Sequence, residues 1–290
     1  MNPDQSSPLH IPTFAVGENP DDDAILSFQQ EVLAFYHEHG RHDMVWRHTT
    51  DPYQIVVSEL MLQQTQVERV AIKFPLFVAA FPDFAALAAA PLHEILAVWQ
   101  GMGYNRRALF LKKIAESVVK DFNGVLPRDV ETLATLSGIG TATASSIAAF
   151  AFNAPVVFIE TNIRRVYIHV FFPTRETVAD KEILPLVERT LYRENPRVWY
   201  WALFDLGTAL KKSVTNPNRR SAHYTRQAPF EGSDRRIRGQ IIKTLIATPG
   251  ISGNELPGHI GEDAGRVKRI VAALEEEGFV VREGAHVYLR

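Results

Sequence analysis

Gly138-Ile139-Gly140 stands between two helical patterns, and that placement limits the fold more than any other stretch of this chain. The surrounding segment, residues 131–165, reads ETLATLSGIGTATASSIAAFAFNAPVVFIETNIRR. Its two glycines let the backbone take conformations closed to residues with a side chain. They also let a bulky partner come close to the backbone amides. Thr141 to Phe152 is a helix of mostly Ala, Ser and Ile whose first N–H groups have no partner within the helix. A helix start of this kind suits an anion such as phosphate. The competing reading is a plain helix–helix turn. No strand pattern precedes the glycines, so a dinucleotide-binding unit is disfavoured. Beyond the helix, Val156-Val157-Phe158-Ile159 is an apolar run that ends on one carboxylate, Glu160, ahead of Arg164 and Arg165.

The rest of the first 230 residues is also helical in pattern. Residues 1–20 read as a loose tail, and Asp21-Asp22-Asp23 suits a helix start, where carboxylates meet free amides. The spacing predicts helices over 21–38, 53–67, 68–81, 83–90, 92–100 and 105–122, then over 181–193 and 197–210. Gly101-Met102-Gly103-Tyr104 is a second glycine turn, and the helix after it places Leu109, Leu111, Ile114 and Val118 on its apolar side. Residues 234–290 differ. Three short helical patterns, 237–247, 252–259 and 263–277, precede two strand-like runs, 279–282 and 286–289. Three helices and a hairpin follow the winged-helix order. In a DNA-binding module the third helix would enter the major groove, but Glu275, Glu276 and Glu277 crowd its end, which fits scaffolding or protein contact as well.

Charge and composition narrow the function classes. At 290 residues the chain is long enough for more than one domain. No apolar run reaches the length of a membrane span, and no targeting pattern opens the sequence. There is no cysteine, which removes disulfides, thiolate metal sites and a cysteine nucleophile. The net charge of −2 is unremarkable, but Lys211, Lys212, Arg219, Arg220, Arg226, Arg235, Arg236 and Arg238 crowd one segment against only Glu231 and Asp234. Such a segment is either a solvated basic loop or a grip for a phosphate backbone.

Two carboxylates carry the chemical interest. Glu59 lies among Val57, Leu60, Met61 and Leu62. Buried there, its pKa would rise and it could donate a proton near neutral pH. On the solvated side of an amphipathic helix it would do nothing of the kind. For Glu160, after its apolar run, a helix cap with Thr161 is the commoner explanation. Two carboxylates facing one cleft are what glycosidic bond cleavage needs: one protonates the leaving group and the other, ionised, steadies the cationic sugar or directs water.

Several motifs in order resemble the helix-hairpin-helix DNA glycosylase superfamily, specifically its MutY-type adenine glycosylases. They are Trp46-Arg47, Asp51-Pro52-Tyr53, Ser58-Glu59-Leu60-Met61-Leu62-Gln63-Gln64-Thr65-Gln66-Val67, Gly101-Met102-Gly103-Tyr104, Leu136-Ser137-Gly138-Ile139-Gly140, Asn162-Ile163-Arg164-Arg165-Val166 and Asp205-Leu206-Gly207. The likeness spans roughly residues 24–212, and its Met-Leu-Gln-Gln-Thr run is highly specific. It implies an all-α, two-lobed fold with a six-helix lobe at about 54–162, a second lobe from about 21–53 and 163–230, and a small winged-helix-like α+β domain at 234–290. Glu59 falls on the family's catalytic Glu and Glu160 on its catalytic Asp. Gln64 falls on a residue inserted into the base stack. Trp46, Arg47, Gln63, Thr65, Tyr104, Gly138, Gly140, Asn162, Arg219 and Arg220 complete the implied DNA-binding set.

The implied function is a monofunctional glycosylase of base excision repair. It would flip a mispaired adenine, opposite 8-oxoguanine or guanine, out of double-stranded DNA and hydrolyse its glycosidic bond. A monomer acting in the cytoplasm, at the nucleoid, is expected. A uracil or thymine mismatch glycosylase and a non-catalytic DNA-binding protein are the rivals. The departures are specific. Position 160 is Glu rather than Asp. Position 142 is Ala, where lyase-competent relatives have Lys, so Schiff-base chemistry is not expected. The family's first three iron–sulfur cysteines align approximately with Lys211, Arg219 and Ala222, so no cluster is expected, and the one ion left open is a monovalent cation at the Gly138–Gly140 hairpin. A different module stands where the family's 8-oxoguanine reader does.

Overall fold

The computed structural model describes residues 16–225 and 230–290. Most of the tail expected at 1–20, and Arg226 of the basic segment, lie outside the described residues. Along the chain, α1 (Asp22–His39) leads through a 3-10 turn (Val45–Arg47) to α2 (Pro52–Leu62), α3 (Val67–Ala80), α4 (Phe84–Ala89), α5 (Leu92–Trp99) and α6 (Arg106–Asp121). Then come α7 (Val130–Thr135), α8 (Thr141–Phe152), α9 (Thr161–Phe171), α10 (Asp180–Thr190), α11 (Pro196–Ser213) and a second 3-10 turn (Pro217–Arg220). The end holds α12 (Asp234–Ala247), β1 (Ile251–Ser252), α13 (Leu256–Ile260), α14 (Ala264–Glu276), β2 (Val280–Glu283) and β3 (His286–Leu289).

The described residues form two compact units. One comprises 16–50, 128–131 and 140–225; the other comprises 51–127, 132–139 and 230–290. In the first, α11 packs against α1, α8 and α9. Its core is aromatic: the Phe28 ring meets Tyr167, Phe171 and Trp199 edge-on at centroid distances of 5.8, 5.1 and 5.7 Å. Edge-on rings place the positive rim of one against the negative face of the next. The sequence split at 162/163 places α8 elsewhere, but its Ala and Ser side chains are small enough to let α11 close over it, and it groups with the first unit.

In the second unit α2 is the inner helix. Asp51 caps its start by accepting from the Tyr53 amide, with Pro52 at the first helical position. Tyr53, Ile55, Val56, Val57, Ser58, Leu60 and Met61 are all buried, with α3 and α6 packed on it. This is no amphipathic surface helix, and Glu59 on it is half-buried. The helix also stops short of the expected Val67. It ends at Leu62, and Gln64 takes a left-handed φ of 53° before α3 starts.

The C-terminal residues belong to this same unit, with α12 against α5 and the His93 amide donating to the Arg290 carbonyl at 3.0 Å. The three helices and closing hairpin stand in the expected order. The addition is β1, where a helix from Ser252 was expected: residues 251–252 pair antiparallel with β3, giving a sheet of order β1-β3-β2. The helix waits for Leu256, next to Pro257.

Candidate functional site

Glu59 is half-buried on a helix whose neighbouring positions, Ser58 and Leu60, are buried. Three residues on, α2 gives way to the turn Gln63-Gln64-Thr65, with Gln63 and Thr65 half-buried and Gln64 exposed. One guanidinium organises that turn. Arg107 is 5% exposed and its Nη1 donates to the carbonyls of Leu60 at 2.9 Å, Met61 at 2.8 Å and Gln63 at 2.5 Å. Its Nη2 donates to the Thr65 hydroxyl at 2.9 Å and to the Met102 and Gly103 carbonyls at 3.3 and 3.2 Å. The last carbonyls of a helix have no intrahelical partners, and Arg107 supplies them from the side. It lies face-on to both Trp99 and Tyr104, 5.4 and 5.3 Å from the ring centres. Burial lowers its pKa to about 10.

Tyr104 is the second left-handed residue here, with φ 47°. A left-handed bulky residue costs on the order of 1–3 kcal/mol and persists only where its surroundings hold it. Two such residues, Gln64 and Tyr104, thus sit in two turns tied to one arginine. Arg107 escaped the sequence reading, although a signal was present. Positions 107, 111, 114 and 118 share one stripe of α6, and an arginine heads a row that is otherwise Leu, Ile and Val.

Glu160 belongs to the other unit and is the N-cap of α9. Its Oε1 accepts from the amides of Asn162 at 2.6 Å and Ile163 at 3.0 Å, and its Oε2 accepts from Asn162 Nδ2 at 3.3 Å. The capping reading of this residue is therefore correct, and the cap fixes the carboxyl in one orientation. Burial pushes the carboxyl up from the ordinary range, against the downward pull of the two amides and of Arg165 and Arg164. Asn162 passes the constraint on. Its Oδ1 accepts from Arg165 Nη1 at 2.7 Å, which also donates to the Gly207 carbonyl at 2.6 Å, while Arg165 Nε donates to Asn216 Oδ1 at 3.1 Å. A Cβ on Gly207 would lie 2.5 Å from the Asn162 carbonyl oxygen, so only glycine lets α11 and α9 meet there.

The glycine turn has the geometry its sequence implies. Gly138 has φ 75°, and a Cβ there would fall 2.2 Å from the Phe110 ring. Gly140 caps α8 without any side-chain bond, and Gly138, Gly140, Thr141 and Ala142 are exposed.

Residues 57–188 match the model of the HhH-GPD superfamily of base excision DNA repair proteins. The adenine DNA glycosylase of Mycolicibacterium smegmatis is 34% identical over 232 residues, which is 74% of this chain and 79% of that protein. The chain belongs to this superfamily. The adenine DNA glycosylase of Mycobacterium tuberculosis is 32% identical over 245 residues, 74% of this chain and 77% of that protein. Among solved structures, a thermostable thymine-DNA glycosylase superposes with a TM-score of 0.56 at 26% identity, over 63% of this chain and 85% of that one. An endonuclease III bound to DNA shares the fold, with a TM-score of 0.52 at 19% identity over 73% of this chain and 91% of that one.

Within this HhH-GPD chain, three of the expected DNA-binding residues are placed otherwise. Trp46 and Arg47 are buried, 5% and 9% exposed. Arg47 donates through Nη1 and Nη2 to both oxygens of Asp205, at 2.7 and 2.9 Å, and lies over the Tyr36 and Trp201 rings. Arg41 bonds the same carboxylate at 2.7 Å. A buried carboxylate needs such partners, and Asp205 takes Arg47 inward. Arg220 likewise turns in: it donates to the carbonyls of Ile168 at 3.1 Å, Arg175 at 2.9 Å and Phe172, closing the C-terminal end of α9. Arg219, Lys211 and Lys212 stay exposed.

The iron–sulfur ligand set does not fit this chain. Lys211, Arg219 and Ala222 offer no thiolate, and among the described residues no group of three or more His, Cys, Asp or Glu side chains could hold a metal. Hydrogen bonds fasten the same loop. The Val178 amide donates to the Arg220 carbonyl at 2.8 Å and the Ala222 amide to the Val178 carbonyl at 2.9 Å. Asn218 Nδ2 reaches the Thr161 carbonyl at 2.9 Å.

Proposed function

We propose that this protein is a monofunctional DNA N-glycosylase that removes mispaired adenine, opposite 8-oxoguanine or guanine, from double-stranded DNA. Membership of a base excision repair superfamily and likeness to two adenine DNA glycosylases support the reaction class. The observation that carries the residue assignment is Glu59: a half-buried acid between buried Ser58 and Leu60, followed by a turn that Arg107 fixes by hydrogen bonds. The target nucleotide leaves the stack, and Gln64 and Tyr104 fill and hold the gap. Glu59 gives its proton to the departing adenine as the glycosidic electrons pass to the base. The Glu160 carboxylate, ionised, steadies the cationic sugar until water adds and its proton returns to solvent. With Ala142 beside the hairpin, no amine is there to form a Schiff base. The exposed Gly138–Gly140 turn and the start of α8 receive a backbone phosphate, and its carbonyls would take a monovalent cation. Arg219, Lys211 and Lys212 add charge to that grip. The protein acts as a monomer without an iron–sulfur cluster, on chromosomal DNA in the cytoplasm. Among the described residues no helix is long and apolar enough to cross a membrane.

A panel of duplexes tests this. Adenine should be released from A:8-oxoguanine and A:guanine but not from A:T, and the strand should break only after alkali. The likeness to a thymine-DNA glycosylase makes T:G and U:G the informative rivals. Product from those and none from the adenine pairs would replace the substrate and keep the class.

Glu160→Gln separates the two carboxylates. The amide can still accept from the α9 amides, so the cap survives while the charge is lost. Excision should fall by roughly 10²–10³, the size seen when one transition-state electrostatic contact is removed. Stability should move the other way. The folded Glu160 pKa is raised, so the group favours folding only at low pH, and that contribution is lost as pH rises through its folded value. At pH 7 the variant should therefore melt no lower than the parent. For the same reason the parent's acid limb of single-turnover rate should lie above about 4.3, the ordinary glutamate value. A limb at or below that value would remove Glu160 from the reaction.

A further inference from the structure

The C-terminal residues do more than occupy the end of the chain, because they reach the strained turn at Tyr104. Arg235, on the first turn of α12, donates from Nη1 to the Tyr104 phenol oxygen at 2.8 Å. Its guanidinium carbon lies 5.3 Å from the Tyr104 ring centre and 5.6 Å from that of Phe230. Arg107 approaches the same phenol ring at 5.3 Å. Tyr104 is thus flanked by one arginine from the helical lobe and one from the C-terminal residues, all within one compact unit.

The attachment of the C-terminal residues is built from more than that contact. Glu277, at the end of α14, accepts from both Arg106 and Arg238: Arg106 Nε at 2.8 Å and Nη2 at 2.5 Å, Arg238 Nη1 at 2.8 Å and Nη2 at 2.5 Å. The Arg106 bonds foremost, with those from Arg238, hold the Glu277 carboxyl down at about 2. Arg106 is only two residues from Tyr104 and opens α6, the helix that carries Arg107. The glutamates that crowd the end of α14 therefore include one that docks the domain against its own chain.

We propose that residues 230–290 form an intramolecular brace for the turns that open the DNA, and that Arg235 is the positioning residue through which the brace acts. Arg235 holds the Tyr104 phenol; Tyr104 abuts Arg107; Arg107 fixes the carbonyls of Leu60, Met61 and Gln63 and the Thr65 hydroxyl. The brace offsets the left-handed strain at Tyr104 and Gln64, and it does so before any DNA arrives. The assignment of those turns to DNA opening rests on the function proposed above.

Amide exchange in the full-length, DNA-free protein tests the brace without using activity. Arg235→Ala should speed exchange at 101–107 and 63–66 by about tenfold, the size expected for losing one hydrogen bond from a charged donor. Exchange at 160–165, in the other unit, should not change. Arg235→Lys should restore part of the protection. On A:8-oxoguanine duplex, the alanine variant should lose 2-aminopurine signal beside the target and about tenfold in single-turnover rate at saturating protein, with DNA affinity nearly kept. Should Arg235→Ala unfold the C-terminal residues, Tyr104→Phe removes only the bonded phenol oxygen and should speed exchange in the same two turns. Unchanged exchange in both turns, or a uniform rise across the whole chain, overturns the brace. If the parent protein releases no base from any duplex, the proposed reaction fails while the exchange result still decides this inference.

Discussion

Glu59→Gln is expected to end base excision while leaving DNA binding and melting temperature as they are. The change is isosteric and removes one thing, a proton that can be given away. General-acid catalysis by a positioned side chain supplies about 10²–10⁴ in rate, and a leaving adenine depends on it because the base departs poorly as an anion. The loss should appear in single-turnover experiments at saturating protein, where binding cannot mask it. Stability should hold because apolar packing fixes α2, where Val56, Val57 and Leu60 are fully buried, and the amide keeps the shape of the carboxyl. Base extrusion, read from 2-aminopurine beside the target, should persist, since Gln64 and its Arg107-held turn are intact. Excision at the parent's rate would remove Glu59 from the chemistry and return the chain to the DNA-binding reading. Lost extrusion as well as lost excision would mean that Glu59 shapes the turn instead.

Much of this fold was legible because its signals are local. Asp21 and Asp51 sit where caps belong, and each accepts an amide as a cap should. The Gly138 turn reads directly, since a side chain there would strike Phe110. The Met-Leu-Gln-Gln-Thr run pointed to the family without any structure. What stayed hidden depends on partners distant in sequence. Arg47 and Asp205 are 158 residues apart, and neither residue alone says that it is buried. The end of α2 lies earlier than expected for the same reason: an arginine about forty positions later draws the Gln63 carbonyl and the Thr65 hydroxyl aside. Arg220 looked like a DNA contact because charge alone suggests the surface, whereas the carbonyls of Ile168 and Phe172 at the end of α9, and of Arg175 beyond it, hold it. In each case an arginine bonds to backbone or carboxylate oxygens inside the protein, a use that composition does not reveal.

Asp205→Asn should destabilise the fold by about 3–5 kcal/mol at pH 7, the usual cost of stranding one member of a buried ion pair. At this chain length that is a fall of roughly 10 °C in melting temperature. Asp205 and Arg47 side chains are 2% and 4% exposed, so water cannot replace the lost partner. The guanidinium cannot shed its charge to adapt, and the side of the group that becomes NH2 sets a donor against donors, so Arg41 loses either its main-chain or its side-chain bond and Arg47 loses one of its two. The pH dependence gives the argument a sign. Burial by itself would raise the Asp205 pKa, but the Arg47 hydrogen bonds and charge, helped by Arg41, outweigh it and hold the carboxyl below its ordinary value. A carboxyl with a depressed folded pKa stabilises the fold above its unfolded value of about 3.9 and loses that contribution as pH falls through the lower folded one. The gap in melting temperature between parent and Asp205→Asn should therefore be full at pH 6–7 and narrow below about pH 4. Thermal melts across that range measure it directly. A gap that is absent at pH 7, or that stays constant into acid, would show that the Arg47–Asp205 pair does not hold this unit together.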